Sequence, residues 1–251
     1  MTDSRSALLP ALPRTRDGWA FFLDIDGTLL DIAPTPDAVV VPSDLPPLLA
    51  SVCEGAGGAL ALLTGRDVLT VDALFAPHKF PVGAVHGAMI RDPSGAVTGG
   101  PPHPGIAEVR RRLEPFVARN PAVLIEDKGN AIAVHFRASP ELEPEAAAVV
   151  SAAVADVGPD LTVQPGKMVL EVRPAGFDKG KALRALLQDG AFRGRRPVAV
   201  GDDLTDESMF RAAIDEGGVA LRVGPPPAGG SAAEPAFARP ADVRLWLAAL
   251  A

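Results

Sequence analysis

A single cysteine, Cys53, stands in a chain of 251 residues, so no internal disulfide can form and a thiolate zinc site is excluded. Its neighbours Leu48, Leu49, Ala50 and Val52 predict a buried helix position rather than a reactive thiol. No run approaches the roughly 18 to 20 apolar residues that a bilayer-spanning helix needs. Residues 1–16 also lack the unbroken apolar core of a secretory signal, because Pro10, Pro13 and three arginines interrupt them. The expectation is a soluble, cytoplasmic protein with no membrane partner. Basic charge is scarce as well: 24 Lys and Arg against 31 Asp and Glu leave a net charge of -7. With a pI near 5.1 there is no broad positive field for nucleic acid or anionic lipid, so any phosphate must be held locally. No repeat of solenoid type is found. With 47% hydrophobic and 22% charged residues, the chain is nevertheless built to bury a core.

One stretch organises the rest. Phe21, Phe22 and Leu23 run apolar and then deliver Asp24, Asp26, Gly27 and Thr28. A parallel strand covered on both faces is a near-continuous apolar run, and ligands gather beyond the carboxyl ends of such strands. Gly27 permits a turn with positive φ, and Thr28 adds a hydroxyl that an anion or metal can use. An Asx-type turn after a core strand is the alternative. The plan then repeats: a helix over residues 45–54, a strand over 59–63, the polar turn Thr64-Gly65-Arg66-Asp67, a helix over 68–75, a strand over 82–85 before His86-Gly87, and a hairpin over 88–98.

Beyond residues 99–102 the character changes. Helix (105–119), strand (122–127), strand (131–137), then helix (142–157), strand (161–164), strand (168–173) suggest a compact inserted sheet with helices on one face. A helix over 179–188, a strand over 197–200, a helix reaching about residue 214, a strand over 219–223 and a last helix over 241–250 then resume the alternation. Residues 224–235 read as a loop. The fold class is α/β: a Rossmann-like domain of residues 1–102 and 175–251, interrupted by a smaller α+β domain of residues 103–174. A hinge is expected near residues 99–104 and 174–176.

The run after the strand at 197–200 places Asp202, Asp203, Asp206 and Glu207 within six positions. Complementing a helix dipole accounts for the later acids but leaves Asp202 and Asp203 unexplained. Mg²⁺ takes one or two carboxylates plus water and substrate phosphate, which Asp24 and Asp202 satisfy if both end parallel strands. Thr64 and Gly65 offer a hydroxyl and backbone N–H groups to phosphate, or else cap the next helix. Lys179 either brings a positive charge to a phosphoryl group or is a solvated helix-start lysine.

The order Asp24/Asp26, Thr64, Lys179, Asp202/Asp203/Asp206 resembles the motif set of the haloacid dehalogenase superfamily. The insert resembles its larger, C2B-like cap. Within the superfamily the chain is similar to the trehalose-6-phosphate phosphatase family, through His86-Gly87, residues 126–137 and residues 166–174. It departs from the family pattern at Met89 and around residues 229–233.

Chemically, a carboxylate nucleophile splits phosphate ester hydrolysis into two displacements, which assigns Asp24 as nucleophile, as the resemblance also implies. Asp26 is placed as general acid and then base, its backbone carbonyl joining Asp24 and Asp202 around Mg²⁺. Thr64, Gly65, Arg66 and Lys179 take the phosphate side, while Asp203 and Asp206 support metal and lysine from behind. On the insert, Glu126, Lys128, Asn130, Arg137, Lys167 and Glu171 offer hydrogen-bonding groups that serve a sugar or merely form a polar sheet face. The resemblance implies disaccharide contact for Glu126, Lys128, Asn130, Lys167 and Glu171. His86 either braces the domain junction or meets substrate, and His78 and His103 are read as surface residues. The function expected is Mg²⁺-dependent hydrolysis of trehalose 6-phosphate by a monomer. Alternatives are another sugar phosphate, such as sucrose 6-phosphate or a glycosyl-phosphoglycerate, or a non-catalytic sugar-phosphate sensor.

Overall fold

The apolar run that precedes Asp24 becomes the central strand. In the computed structural model, which describes residues 12–35, 38–99, 103–166 and 168–251, strand β1 (Trp19–Leu23) is fully buried from Ala20 onward. Alternation along the strand sends neighbouring rings to opposite faces. Phe21 lies 6.0 Å from the Trp246 ring on the C-terminal helix, and Phe22 lies 5.4 Å from Phe192. The parallel neighbours of β1 are β2 (Leu60–Leu63), followed by β3 (Val82–Ala84), and on the other side β10 (Arg196–Gly201), β11 (Val219–Val223) and β12 (Glu234–Phe237). The hairpin of β4 (Met89–Arg91) and β5 (Val97–Gly99) extends the sheet antiparallel to eight strands. Helices α1 (Leu45–Gly55) and α7 (Pro240–Ala248) pack together, as do α5 (Lys179–Leu187) and α6 (Glu207–Asp215), while α2 (Val68–Leu74) follows β2.

A separate four-stranded antiparallel sheet is built from β6 (Leu124–Asp127), β7 (Ile132–His135), β8 (Leu161–Gly166) and β9 (Val169–Pro174), in the order β6-β7-β9-β8. Period-2 alternation divides its faces. Ile132, Val134, Leu170 and Val172 pack against Val109, Leu113 and Phe116 of α3 (Pro104–Arg119) and Val150 of α4 (Glu143–Val157). Glu126, Ala133, Glu171 and Gln164 form one cross-strand row on the opposite face. The alternating sequence thus leaves a polar face free of the helices.

Two expectations are corrected. Residues 224–235 were expected to be loop throughout, yet Glu234–Phe237 forms β12 at the sheet edge. Pro235 cannot donate to a ladder and hides the strand from a pattern search, but an edge tolerates it. His103, read as a surface residue, is half-buried and its Nδ1 accepts from Gly105 N at the start of α3. His78 is also half-buried. Cys53 packs half-buried on α1, and burial pushes its thiol up. Among the described residues no helix is long and apolar enough to cross a membrane.

Candidate active site

Strand register assembles the site. Leu23 lies opposite Val200 of β10 and Leu62 of β2, so the chain leaves three adjacent parallel strands at Asp24, Thr64 and Asp202. Asp24 N donates to Val200 O (2.9 Å) and Thr64 N to Gly83 O (2.9 Å), fixing both at the sheet edge. Lys179, the first residue of α5, is 2% exposed, and its Nζ donates to Asp24 Oδ1 and Asp206 Oδ1, each at 2.6 Å. The solvated-lysine alternative is thereby excluded. Gly27 (φ +86°) is required: a Cβ there would lie 2.1 Å from Asp202 Oδ2. Thr28 is buried, and its hydroxyl has no hydrogen-bond partner among the described residues.

Around the single ammonium lie three carboxylates, Asp24, Asp202 and Asp206, with oxygens within 4.8 Å of one another. That excess of negative charge explains the electrostatics. Burial draws Lys179 down, but the charges of Asp206 and Asp24 outweigh it and hold the amine above the usual lysine range. Burial raises Asp24 well above the usual carboxylate range, with Lys179 opposing. Burial, then Asp206 and Asp203, push Asp202 up to about 7. Asp202 Oδ1 is buried without a hydrogen-bond partner among the described residues. Such an arrangement suits a hard divalent cation, which would relieve the repulsion and supply the missing partner. Asp206 has less to offer a metal, since its Oδ2 already accepts from Asp202 N (2.9 Å) and Asp203 N (3.0 Å). Asp203 Oδ1 accepts from Leu204 N (2.7 Å) and starts the turn that carries Asp206.

The Asp26 carboxylate points elsewhere: Arg66 Nε and Nη2 bind its two oxygens at 2.7 Å each. Thr64 Oγ1 accepts from Arg66 N (3.1 Å), which shapes the turn beside the acid. The polar row of the small sheet faces these groups across a cavity of about 730 Å³ whose lining includes Asp24, Arg66, Glu126, Lys128, Arg137 and Glu171. Glu126 accepts from His135 (2.8 Å); burial raises its pKa, but that bond and Lys128 bring it below the usual value. Glu171 is buried, with His86 Nε2 at 2.8 Å and Lys128 Nζ at 3.6 Å. Burial raises its pKa, but the His86 ring bonded to it and the Lys128 charge bring it to about 2, while burial holds His86 itself below the usual imidazole value. Asn130 is buried with Oδ1 lacking a hydrogen-bond partner among the described residues, whereas Arg137 is exposed and donates to the Ala33 and Pro34 carbonyls. Lys167 lies outside the described residues.

Sequence reasoning missed a brace behind the acidic loop. Arg222, buried on β11, donates to the Asp202 and Pro225 carbonyls and lies 3.7 Å from Glu207. Glu207 in turn accepts from Ser231 Oγ (2.6 Å) and Ala232 N (2.9 Å), although it reads as a helix-dipole complement. The one signal was an arginine inside the apolar run at 219–223.

A mostly parallel sheet with acids at its strand ends and a separate small antiparallel sheet is a fold shared with a phosphatase of the haloalkanoate (HAD) enzyme superfamily from Bacteroides thetaiotaomicron, with a TM-score of 0.60 over 96% of each chain at 18% identity. A family model described as trehalose-phosphatase matches residues 22–239. A probable trehalose-phosphate phosphatase of Sinorhizobium fredii is 47% identical over 218 residues, covering 87% of this chain and 82% of that protein. The trehalose-6-phosphate phosphatase of Escherichia coli is 38% identical over 240 residues, covering 95% and 89%. The C-terminal domain of the C. albicans trehalose-6-phosphate phosphatase shares the fold, with a TM-score of 0.79 over 97% of this chain and 99% of that one at 22% identity. The chain belongs to the trehalose-phosphatase family.

Proposed function

We propose that this chain hydrolyses trehalose 6-phosphate with Mg²⁺ through an aspartyl-phosphate, residues 103–174 acting as the cap over a core of residues 1–102 and 175–251. The observation that carries the reading is Asp24: a strand-end carboxylate with one oxygen on Lys179, beneath a cap face of buried polar acceptors. Asp24 attacks phosphorus, and the bond from phosphorus to the sugar oxygen breaks with its electron pair going to that oxygen. Asp26 supplies the proton the oxygen needs. Water then attacks the phosphoryl group, Asp26 takes its proton, and the Asp24 carboxylate is released. Both Asp26 oxygens are engaged by Arg66, so proton transfer requires Arg66 to release one; a substrate phosphate oxygen is a suitable new acceptor. Thr64 and Lys179 hold the phosphoryl group, and Glu126, Lys128, Asn130, Lys167 and Glu171 bind sugar hydroxyls. Asp24, Asp202 and the Asp26 carbonyl would hold Mg²⁺, which would supply charge neutralisation at the phosphoryl oxygens. The test is phosphate release with Mg²⁺ from trehalose 6-phosphate, sucrose 6-phosphate, glucosyl-phosphoglycerate and glucose 6-phosphate. A kcat/KM for trehalose 6-phosphate at least about tenfold above the others is expected. Comparable turnover of all four would sink the assignment.

Metal loading is expected to depend on pH through Asp202. A carboxyl whose value is higher folded than unfolded binds its proton more readily in the native state. Its stabilising contribution is therefore complete below the unfolded value of about 4 and is lost as pH rises through about 7. Mg²⁺ competes with that proton. The rise in melting temperature that Mg²⁺ produces over EDTA-treated protein is thus expected to be small near pH 5 and to grow through about pH 7. An increment that does not change with pH would remove Asp202 from the metal site.

A further inference from the structure

Val85, His86 and Gly87 follow β3 with φ of 48°, 53° and 94°. A β-branched residue in the left-handed region is costly, and Val85 is fully buried there. The turn is bonded to the Thr64–Arg66 segment, with His86 N donating to Thr64 O (2.9 Å) and Val85 N to Arg66 O (3.0 Å). It carries the imidazole against Gly65, where a Cβ would lie 2.6 Å from Nε2. Nε2 reaches Glu171 Oε2 at 2.8 Å, across the boundary between the two sheets. An ionised carboxylate only accepts, so Nε2 carries the proton of this bond. Glu171 Oε1 is buried with the Lys128 ammonium 3.6 Å away but no hydrogen-bond partner among the described residues, and both His86 and Glu171 line the cavity.

We propose that His86 is a positioning residue that ties the phosphate-side turn to the cap: it fixes one oxygen of Glu171 so that the other is presented to a sugar hydroxyl, and thereby sets the preference for sugar phosphates over simple phosphate esters. The inference rests on the trehalose 6-phosphate reading. It differs from a mere structural brace in what two substitutions do. Asparagine tolerates the left-handed backbone but stops short of the Nε2 position, whereas glutamine reaches that position but fits the backbone less well.

The experiment measures melting temperature and kcat/KM for trehalose 6-phosphate and p-nitrophenyl phosphate in wild type, His86→Asn, His86→Gln, Glu171→Gln and the His86→Asn/Glu171→Gln double variant. In His86→Asn the ratio of the two kcat/KM values is expected to fall about 10- to 100-fold, mainly through KM for the sugar phosphate, with a fall in melting temperature no larger than that of His86→Gln. His86→Gln is expected to melt lower yet keep the ratio within about threefold of wild type. The double variant is expected to lose no more of the ratio than Glu171→Gln alone. A wild-type ratio retained in His86→Asn, or a ratio that tracks melting temperature across the variants, overturns the proposal. A wild type with no preference for trehalose 6-phosphate overturns the substrate reading, and the proposal falls with it.

Discussion

Replacing Asp24 with asparagine is expected to lower kcat at least about 10⁴-fold, the scale seen when a covalent nucleophile is removed, while leaving the metal-free protein at least as stable. The amide keeps the shape, and its oxygen still accepts from Lys179, which retains Asp206 at 2.6 Å as its counter-ion. It lacks the anionic oxygen that attacks phosphorus. Stability should move the other way because burial first, opposed by Lys179, and then the Asp206 and Asp202 charges penalise the ionised carboxylate. A neutral isostere removes the desolvation and the repulsion together. Phosphate release under saturating substrate and a thermal melt in EDTA check the two halves. Retention of more than about one per cent of wild-type turnover would place the nucleophile elsewhere. A marked drop in melting temperature would make Asp24 chiefly a counter-ion for Lys179.

The strand ends were legible because their signals are local. Phe21 to Leu23 and residues 197–200 read as buried strands, and each is followed at once by its acids, so sheet geometry alone brings Asp24 and Asp202 together. The polar face of the small sheet was legible for the same reason, since Glu171 alternates with Leu170 and Val172. What escaped depends on contacts between distant segments. Nothing near His86 announces Glu171, 85 positions away on another sheet. Arg66 was assigned to substrate, and its bidentate pairing with Asp26 across 40 positions has no sequence signature. Arg222 defied the rule that arginines stay exposed, because three carbonyl and carboxylate partners from separate loops converge on it. The edge strand β12 was hidden by a proline that only its edge position excuses.

Lys179→Met is expected to damage both properties that Asp24→Asn separates. The ammonium lies 2.6 Å from both the Asp24 and Asp206 carboxylates, and all three groups are buried. Breaking a buried ion pair by removing one partner costs about 3–5 kcal/mol, because the remaining charge is left uncompensated. Here two carboxylates are left, so the metal-free variant is expected to unfold at distinctly lower urea concentration than wild type. Turnover should fall at least about 10³-fold, the lower end of what one positioned cation contributes in phosphoryl transfer. Two comparisons separate charge from packing. Adding Asp206→Asn to Lys179→Met should recover part of the stability, since it neutralises one orphaned carboxylate, but none of the turnover. Saturating Mg²⁺ should also narrow the stability gap, because Asp24 regains a cation where Asp206 does not. If Lys179→Met were as stable as wild type in EDTA, the two carboxylates would be protonated in the resting protein, and the charge balance argued for the site would be wrong.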